Sequence, residues 1–209
     1  MPIMIPFLLI ATVAQAQRTQ LFSFSPMSEK TSRVNGLVVG IGHLGENKTL
    51  RRINGLNLDL FVLSPFVVMY GPSTHRVYEE TKLISNGLNL AVGGFLTDGV
   101  VHNGVSFGMY NFGNVFNGLG VHATFMSVEK LNGLSIAGFG NDVLYANGLQ
   151  IGIGNKSDIM NGIQIGVVNT SVKVCGLQLG IYNKSHAVKG LQVGLWNKNA
   201  KRALPFLNF

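Results

Sequence analysis

The stretch from residue 148 to residue 199 contains four copies of one phrase: GLQIGIGNKS at 148–157, GIQIGVVNTS at 162–171, GLQLGIYNKS at 176–185 and GLQVGLWNKN at 190–199. Each copy begins 14 residues after the one before it. A unit this short cannot bury a core of its own, so neighbouring copies must stack against each other. The sequence therefore predicts one short unit repeated side by side.

Weaker copies of the phrase extend upstream to residue 35, and most of them open on an Asn-Gly pair. The longest gap between opening glycines is the 32 residues from Gly55 to Gly87. We predict a single β-repeat domain over residues 17–209, with repeats at 36–197, an insertion at 60–85 that holds an extra apolar strand, and a C-terminal aromatic segment at 198–209. The predicted repeat glycines are Gly36, Gly55, Gly87, Gly104, Gly118, Gly133, Gly148, Gly162, Gly176 and Gly190.

Side chains alternate within each repeat, with Leu177 and Leu179 on one face and Gln178 and Gly180 on the other. This is the period of a β-strand, in which one face is buried and the other stays polar or small. The Asn-Gly pairs are a turn signal, and the NKS or NTS runs suit loops. We expect exposed or girdle positions for the aromatic residues near the strand ends and the chain end: Phe95, Tyr110, Phe139, Tyr182, Trp196 and Phe209.

Two all-β architectures suit this repeat. In an antiparallel barrel the Leu/Ile/Val face points outward and the Gln/Gly/Ser face points inward. In a β-solenoid each repeat is one coil, with Leu/Ile/Val inward and the aromatic face exposed. The Asn-Gly turns and the terminal Phe209, which resembles the end of an outer-membrane barrel, favour an antiparallel barrel or barrel-like sheet, with the solenoid as the alternative.

The first 16 residues, MPIMIPFLLIATVAQA, form an apolar run that ends in Ala14-Gln15-Ala16. This ending is the small-x-small pattern of a signal-peptidase site, and the run is too short to span a bilayer. We predict a cleaved signal peptide over 1–16, with Ala14 and Ala16 marking the cleavage site, and hence export. The single cysteine, Cys175, predicts no internal disulfide.

The chain carries a net charge of +7, and seven basic residues follow position 155 against one acid, Asp158. Most of these basic residues lie between the predicted strands. Such a basic rim favours anionic partners, and we expect membrane lipid or an envelope polysaccharide. An exported chain without a clustered basic helix does not suit nucleic acid.

No group of residues predicts catalysis. The G-x-G-x-x-G match at 40–45 leaves too little chain before Gly55 for the helix that a dinucleotide site needs. The five histidines occupy different places in the repeat, and none has a second ligand at metal spacing. Carboxylates are few and dispersed, and no serine lies in a nucleophile elbow. The sequence therefore predicts a non-enzymatic protein without a cofactor or metal.

The GLQ[IVL]G[LI]xN repeats, the QLFSFSP…VNGLVVGIGH segment after the signal and the ending GLWNKNAKRALPFLNF resemble the bacterial surface repeat-containing family of spirochaetes and Bacteroidetes. The resemblance covers nearly all of the chain after residue 16. It implies an exported cell-envelope protein with no established enzymatic activity. Some members of that family are lipoproteins, and this chain departs from them because it has no lipobox cysteine.

From these observations we expect a non-enzymatic envelope or surface protein of a bacterium, embedded in or associated with the outer membrane, with a structural or adhesive role. The alternative is a small outer-membrane channel or lipid-binding β-barrel that uses a Gln/Gly-lined interior.

Overall fold

The computed structural model describes residues 18–28, 30–41, 49–61, 63, 66, 80–95 and 99–209. These residues form eight strands in one sheet, in sequence order. The strands are β1 (Arg18–Ser25), β2 (Thr31–Gly40), β3 (Arg51–Asp59), β4 (Leu83–Ala91), β5 (Val100–Ala137), β6 (Gly140–Ile151), β7 (Gly154–Lys198) and β8 (Ala203–Asn208). β5 and β7 are far longer than ordinary strands because each continues through several repeats.

From β1 to β7 the strands pair in parallel, with like residues opposite each other. Gly36 pairs with Gly55, Gly55 with Gly87, and Gly148 with Gly162. Each repeat is therefore one coil of a β-solenoid. The all-β prediction is confirmed in the form of its solenoid alternative. The antiparallel barrel is wrong, because among the described strands only β8 runs antiparallel to its neighbour.

The ten repeat glycines stack in one column and share φ values between 121° and 154°. Side-chain-bearing residues rarely adopt this backbone conformation. A Cβ on any of the ten would also lie within 2.2 Å of a carbonyl oxygen in the preceding coil. The Asn-Gly pairs are thus not turns between antiparallel strands. They lie inside the strands, where successive backbones approach most closely.

The asparagine before the repeat glycine forms a ladder along the outside of the solenoid. Each Nδ2 donates to the Oδ1 of the asparagine one coil earlier, at 2.6–2.9 Å. Only parallel coils in register bring these side chains together. The ladder consists of Asn35, Asn54, Asn86, Asn103, Asn117, Asn132, Asn147 and Asn161.

The glutamine two residues after the repeat glycine points into the solenoid and is fully buried in the last four coils. Gln164 donates to Gln150 at 2.8 Å, Gln178 to Gln164 at 2.7 Å, and Gln192 to Gln178 at 2.7 Å. Hydrogen bonds of this kind offset the cost of burying amides. The expectation for the solenoid, with Leu/Ile/Val inward, is therefore wrong: the polar face lies inside.

A second buried ladder is built from the asparagines of the NKS and NTS runs, which are not loop residues. Asn141, Asn155, Asn169, Asn183 and Asn197 are linked by Nδ2–Oδ1 bonds of 2.8 Å. The Nδ2 groups of three of them also donate to a backbone carbonyl ten residues ahead at 2.8–2.9 Å. Both amide hydrogens are then used, which is what a buried amide requires.

The apolar part of the interior is one column, two residues before each repeat glycine. Its largest members are Ile53, Phe116, Leu131 and Met160, all without measurable exposure. The buried apolar residues form one cluster in the N-terminal coils and one around Phe116. The core is thus apolar at one end and filled mainly by amides at the other.

β8 closes the C-terminal end. It pairs antiparallel with the last coil of β7, and Asn208 Nδ2 donates to Gln192 Oε1 at 2.9 Å, which terminates the glutamine ladder. Arg202 lies 4.2 Å over the ring of Phe209. The C-terminal aromatic segment is therefore a cap on the solenoid and not the last strand of a barrel.

The N-terminal predictions fall largely outside the described residues. The signal peptide over 1–16 and its cleavage residues Ala14 and Ala16 lie there, as does most of the G-x-G-x-x-G segment. Within the insertion at 60–85, only residues 60, 61, 63, 66 and 80–85 are described, so the extra apolar strand predicted there lies mostly outside.

Candidate functional site

The Leu/Ile/Val face of the repeat lies on the outside of the solenoid. Positions in a coil are numbered here from the repeat glycine, which is position 1. Because positions 3 and 5 point inward, positions 2, 4 and 6 point outward. Ile163, Ile165 and Val167 of one coil are 38%, 37% and 43% exposed. We call the three stacked columns the outer apolar face.

Positions 2 and 4 of the outer apolar face are apolar in every coil. Register pairs connect the columns from coil to coil, as in Leu58 with Leu90 and Leu149 with Ile163. Position 2 holds Leu37, Leu56, Leu88, Val105, Leu119, Leu134, Leu149, Ile163, Leu177 and Leu191, and position 4 holds Val39, Leu58, Leu90, Phe107, Val121, Ile136, Ile151, Ile165, Leu179 and Val193.

The outer apolar face is large for a protein of this size. Neighbouring strands lie about 4.8 Å apart, so ten coils give a length of about 43 Å. Three columns spaced two residues apart give a width of about 13 Å. The projected area of about 600 Å² is at the upper end of the range for the largest apolar patch on a soluble monomer. Patches of this size mark contacts with partners or membranes.

A shallow groove of about 470 Å³ lies in this face at the N-terminal coils, lined by apolar residues such as Leu60, Leu90 and Phe107. Asp59 also lines it, although its side chain points inward and the residue is only 2% exposed. Burial raises the pKa of Asp59 to about 6, against a smaller lowering effect of the bond that its carboxylate accepts from Phe61 N–H. The groove therefore offers an apolar surface above a carboxyl group that is protonated in mild acid.

One long edge of the outer apolar face carries aromatic and lysine side chains. Position 8 is the buried asparagine, so positions 7 and 9 on either side of it point outward around a corner of the coil. Position 7 is Tyr182 in one coil and Trp196, 48% exposed, in the next. Position 9 is Lys184 and Lys198 in the same two coils, and both are exposed. The apolar face is thus bordered first by aromatic rings and then by ammonium groups.

Around this corner lies a second depression, which we call the basic groove. Its volume is about 510 Å³, and it is lined by residues 156–158, 170–172, 184–186 and 198–200. Lys156 Nζ lies 3.6 Å from Asp142 Oδ2 at its first coil. In the described part of the chain, no ion pair involves Lys184 or Lys198. Positive charge is therefore least compensated at the C-terminal end of the groove.

The sequence-predicted site residues fall into two groups. The ten repeat glycines come together in one column as described above. Of the aromatic residues, Phe139, Trp196 and Phe209 are exposed, at 53%, 48% and 65%, and Tyr182 is half-buried. Phe95 and Tyr110 are 2% and 1% exposed, so their predicted exposed or girdle position is wrong. Irregular spacing between the N-terminal repeats places these two rings against the core.

Sequence reasoning missed the aromatic-Asn-Lys triplets as a unit. The signal was present in Tyr182-Asn183-Lys184 and Trp196-Asn197-Lys198, which occupy the same place in adjacent repeats. Once the asparagine is known to be buried, the alternation of side chains requires the aromatic residue and the lysine to point outward.

Two histidines are buried in the interior, and burial lowers the pKa of both. His102 stacks on Phe116 with ring centroids 4.9 Å apart, and its pKa is lowered to about 4. His122 Nε2 lies 3.2 Å from Ser106 Oγ, and burial together with the charge of His102 lowers its pKa to about 3. His186 is exposed, and His43 and His75 lie outside the described residues.

These groups predict acid destabilisation. Between pH 6.5 and about 4 the unfolded chain binds protons at His102 and His122 that the folded chain does not, so their contribution to stability is lost as the pH falls through this window. Asp59 acts in the opposite direction, because its raised pKa makes the folded state bind a proton first. We expect a net loss of about 2 kcal/mol in the free energy of unfolding between pH 7 and about pH 4.5.

Denaturant titrations at the two pH values measure this loss. His102→Phe, which keeps a ring against Phe116, should reduce it, and Asp59→Asn should increase it. An equal loss in the wild type and in His102→Phe would contradict the assignment to the buried histidine.

Within the described ranges, no helix is long and apolar enough to cross a membrane. The same residues contain no group of three histidine, cysteine, aspartate or glutamate side chains able to hold a metal ion. No protein-family model matches the chain, and neither a curated protein nor a solved structure shows significant similarity to it.

Proposed function

We propose that this chain is an exported, non-enzymatic protein of the bacterial cell envelope, which associates with the outer membrane and has a structural or adhesive role. The observation that carries the proposal is the outer apolar face. A rigid solenoid with three apolar columns along its length suits contact with the hydrocarbon region of a lipid surface. The predicted signal peptide over 1–16 supports export.

Membrane lipid fits this face better than a protein partner for two reasons. The face is apolar at positions 2 and 4 in all ten coils, so it lacks the polar groups with which protein interfaces fix a register. Its border of Tyr182, Trp196 and lysines is the arrangement that side chains adopt at the boundary between hydrocarbon and water.

The lipid-binding part of the alternative function agrees with the same face, whereas the channel part needs a barrel with a polar lumen. In the described coils the polar face is instead occupied by the glutamine and asparagine ladders. We therefore carry forward lipid association and not conduction.

Flotation of the full chain with phosphatidylcholine vesicles tests the proposal. Ile165→Thr with Val193→Thr puts hydroxyls on the outer apolar face while keeping β-branched side chains. The control, Ile159→Thr with Val172→Thr, removes one isoleucine and one valine from other outward positions. We expect the face variant to bind vesicles about tenfold more weakly than the wild type, and the control to change by about twofold or less.

Because residues 1–16 are present in every variant, the comparison between variants isolates the solenoid. Equal binding by both double variants would contradict the proposal. So would self-association of the wild type in buffer that is abolished by the face variant without any binding to vesicles, since the face would then be an interface between copies of the chain.

A further inference from the structure

The two C-terminal coils of β7 carry the same aromatic and lysine pair at the same corner. Tyr182 and Lys184 flank the buried Asn183, and Trp196 and Lys198 flank the buried Asn197. Asn183 donates to Asn197 at 2.8 Å, so the two corners are held in register in adjacent coils, about 4.8 Å apart. The pairs therefore form a small, fixed array and not four unrelated surface residues.

Charge distinguishes this end of the basic groove from the other. Asp142 pairs with Lys156, and Asp158 lies in the same coil as Lys156, so the first part of the groove is nearly neutral. After Asp158 the sequence contains no acid up to residue 209, whereas it contains six basic residues: Lys173, Lys184, Lys189, Lys198, Lys201 and Arg202. The uncompensated charge next to the aromatic corner belongs to Lys184 and Lys198.

We propose that Lys184 and Lys198 form a binding site for the phosphate groups of anionic lipid headgroups, with Tyr182 and Trp196 at the depth of the interface beside them. This inference rests on the proposed function, because it takes the outer apolar face to lie on the membrane. The corner then comes to the level of the headgroups, with rings toward the hydrocarbon and ammonium groups toward the phosphates.

The site would make the protein select anionic over neutral membranes. Lysines near an anionic surface each contribute a several-fold gain in binding, so the pair should contribute on the order of 10- to 30-fold. Trp196 is the single tryptophan of the chain, so its emission reports on this corner alone. Burial at a membrane interface shifts tryptophan emission to shorter wavelength.

The test titrates the full chain with vesicles of phosphatidylcholine alone and with vesicles containing one third phosphatidylglycerol, following Trp196 emission and sedimentation. Lys184→Gln with Lys198→Gln removes the proposed site. Lys173→Gln with Lys189→Gln removes the same charge from exposed positions outside the groove. We expect the first variant to lose most of its preference for phosphatidylglycerol, the second to keep at least half of it, and both to bind phosphatidylcholine like the wild type.

Three results would overturn the inference. An equal loss of preference in both variants would show that only net charge matters. An unshifted Trp196 emission on bound vesicles would place the corner away from the interface. Displacement from phosphatidylglycerol vesicles by millimolar inorganic phosphate at constant ionic strength would show a site for free phosphate and not for headgroups. Failure of the proposed function is separate from these, since it would appear as loss of binding to phosphatidylcholine alone.

Discussion

Gly162→Ala should cost about 4 kcal/mol or more in the free energy of unfolding, which is a large part of the stability of an ordinary domain. The new Cβ would lie 2.0 Å from the Gly148 carbonyl oxygen, and the backbone has φ of 137°, where alanine is strained. The obstacle is backbone and not the end of a side chain, so no rotamer change relieves it. The coils on both sides would have to separate.

Gly154→Ala is the matched control, because this glycine lies in the coil just before Gly162 and does not have a positive φ. The nearest atom to its added Cβ is the Phe139 carbonyl oxygen at 3.7 Å, an ordinary contact. We expect a change of about 1 kcal/mol or less. Urea denaturation followed by circular dichroism measures both. Similar midpoints for the two variants would show that the glycine column is not under the steric constraint derived above.

The sequence predicted the repeat, the strand period, the all-β class and the ten glycines that stack. It did not decide between barrel and solenoid, because alternation of Leu177 and Gln178 gives two faces without saying which lies inside. The identity of residues at equal spacing holds the answer. Parallel coils place Gln164 beside Gln178, where each amide donates to the next, whereas antiparallel neighbours would place unlike residues together.

The positions of Phe95 and Tyr110 could not be read from the repeat for a different reason. Their coils differ in length from the regular ones, so the place of a side chain depends on where the extra residues are accommodated. Alternation counted from the glycine then loses its register. In the regular coils from Gly148 onward, alternation together with one buried asparagine per coil suffices to place Trp196 and Lys198 on the surface.

An interior filled by amides has a physical consequence for the outer apolar face. In most small domains the apolar side chains of a strand are consumed by the core, but here the ladders and one apolar column fill the coil. The leucines at positions 2 and 4 are therefore left outside without loss of the fold. The polar core is what allows a water-excluding surface of this length on a single chain.

Gln178→Glu should therefore give a loss of stability that depends on pH. In the wild type Gln178 donates to Gln164 Oε1 and accepts from Gln192 Nε2, each at 2.7 Å. A protonated glutamic acid can make both bonds, but an ionised carboxylate would turn an acceptor toward Gln164 Oε1 in a buried site. Burial and this repulsion must raise the pKa of the new carboxyl above its usual value of about 4.3.

The folded Gln178→Glu variant then holds a proton that the unfolded chain has already released, so its stability falls as the pH rises from about 4.3 through the raised pKa. Relative to the wild type at the same pH, we expect a cost of about 3 kcal/mol at pH 7 and about 1 kcal/mol or less near pH 4. Gln178→Leu separates the loss of hydrogen bonds from the effect of charge. It leaves Gln192 Nε2 without its best acceptor and should cost about 2 to 3 kcal/mol at both pH values. Denaturant titrations of the three proteins at each pH decide the matter, since a Glu variant as stable as the wild type at pH 7 would mean that water reaches the ladder.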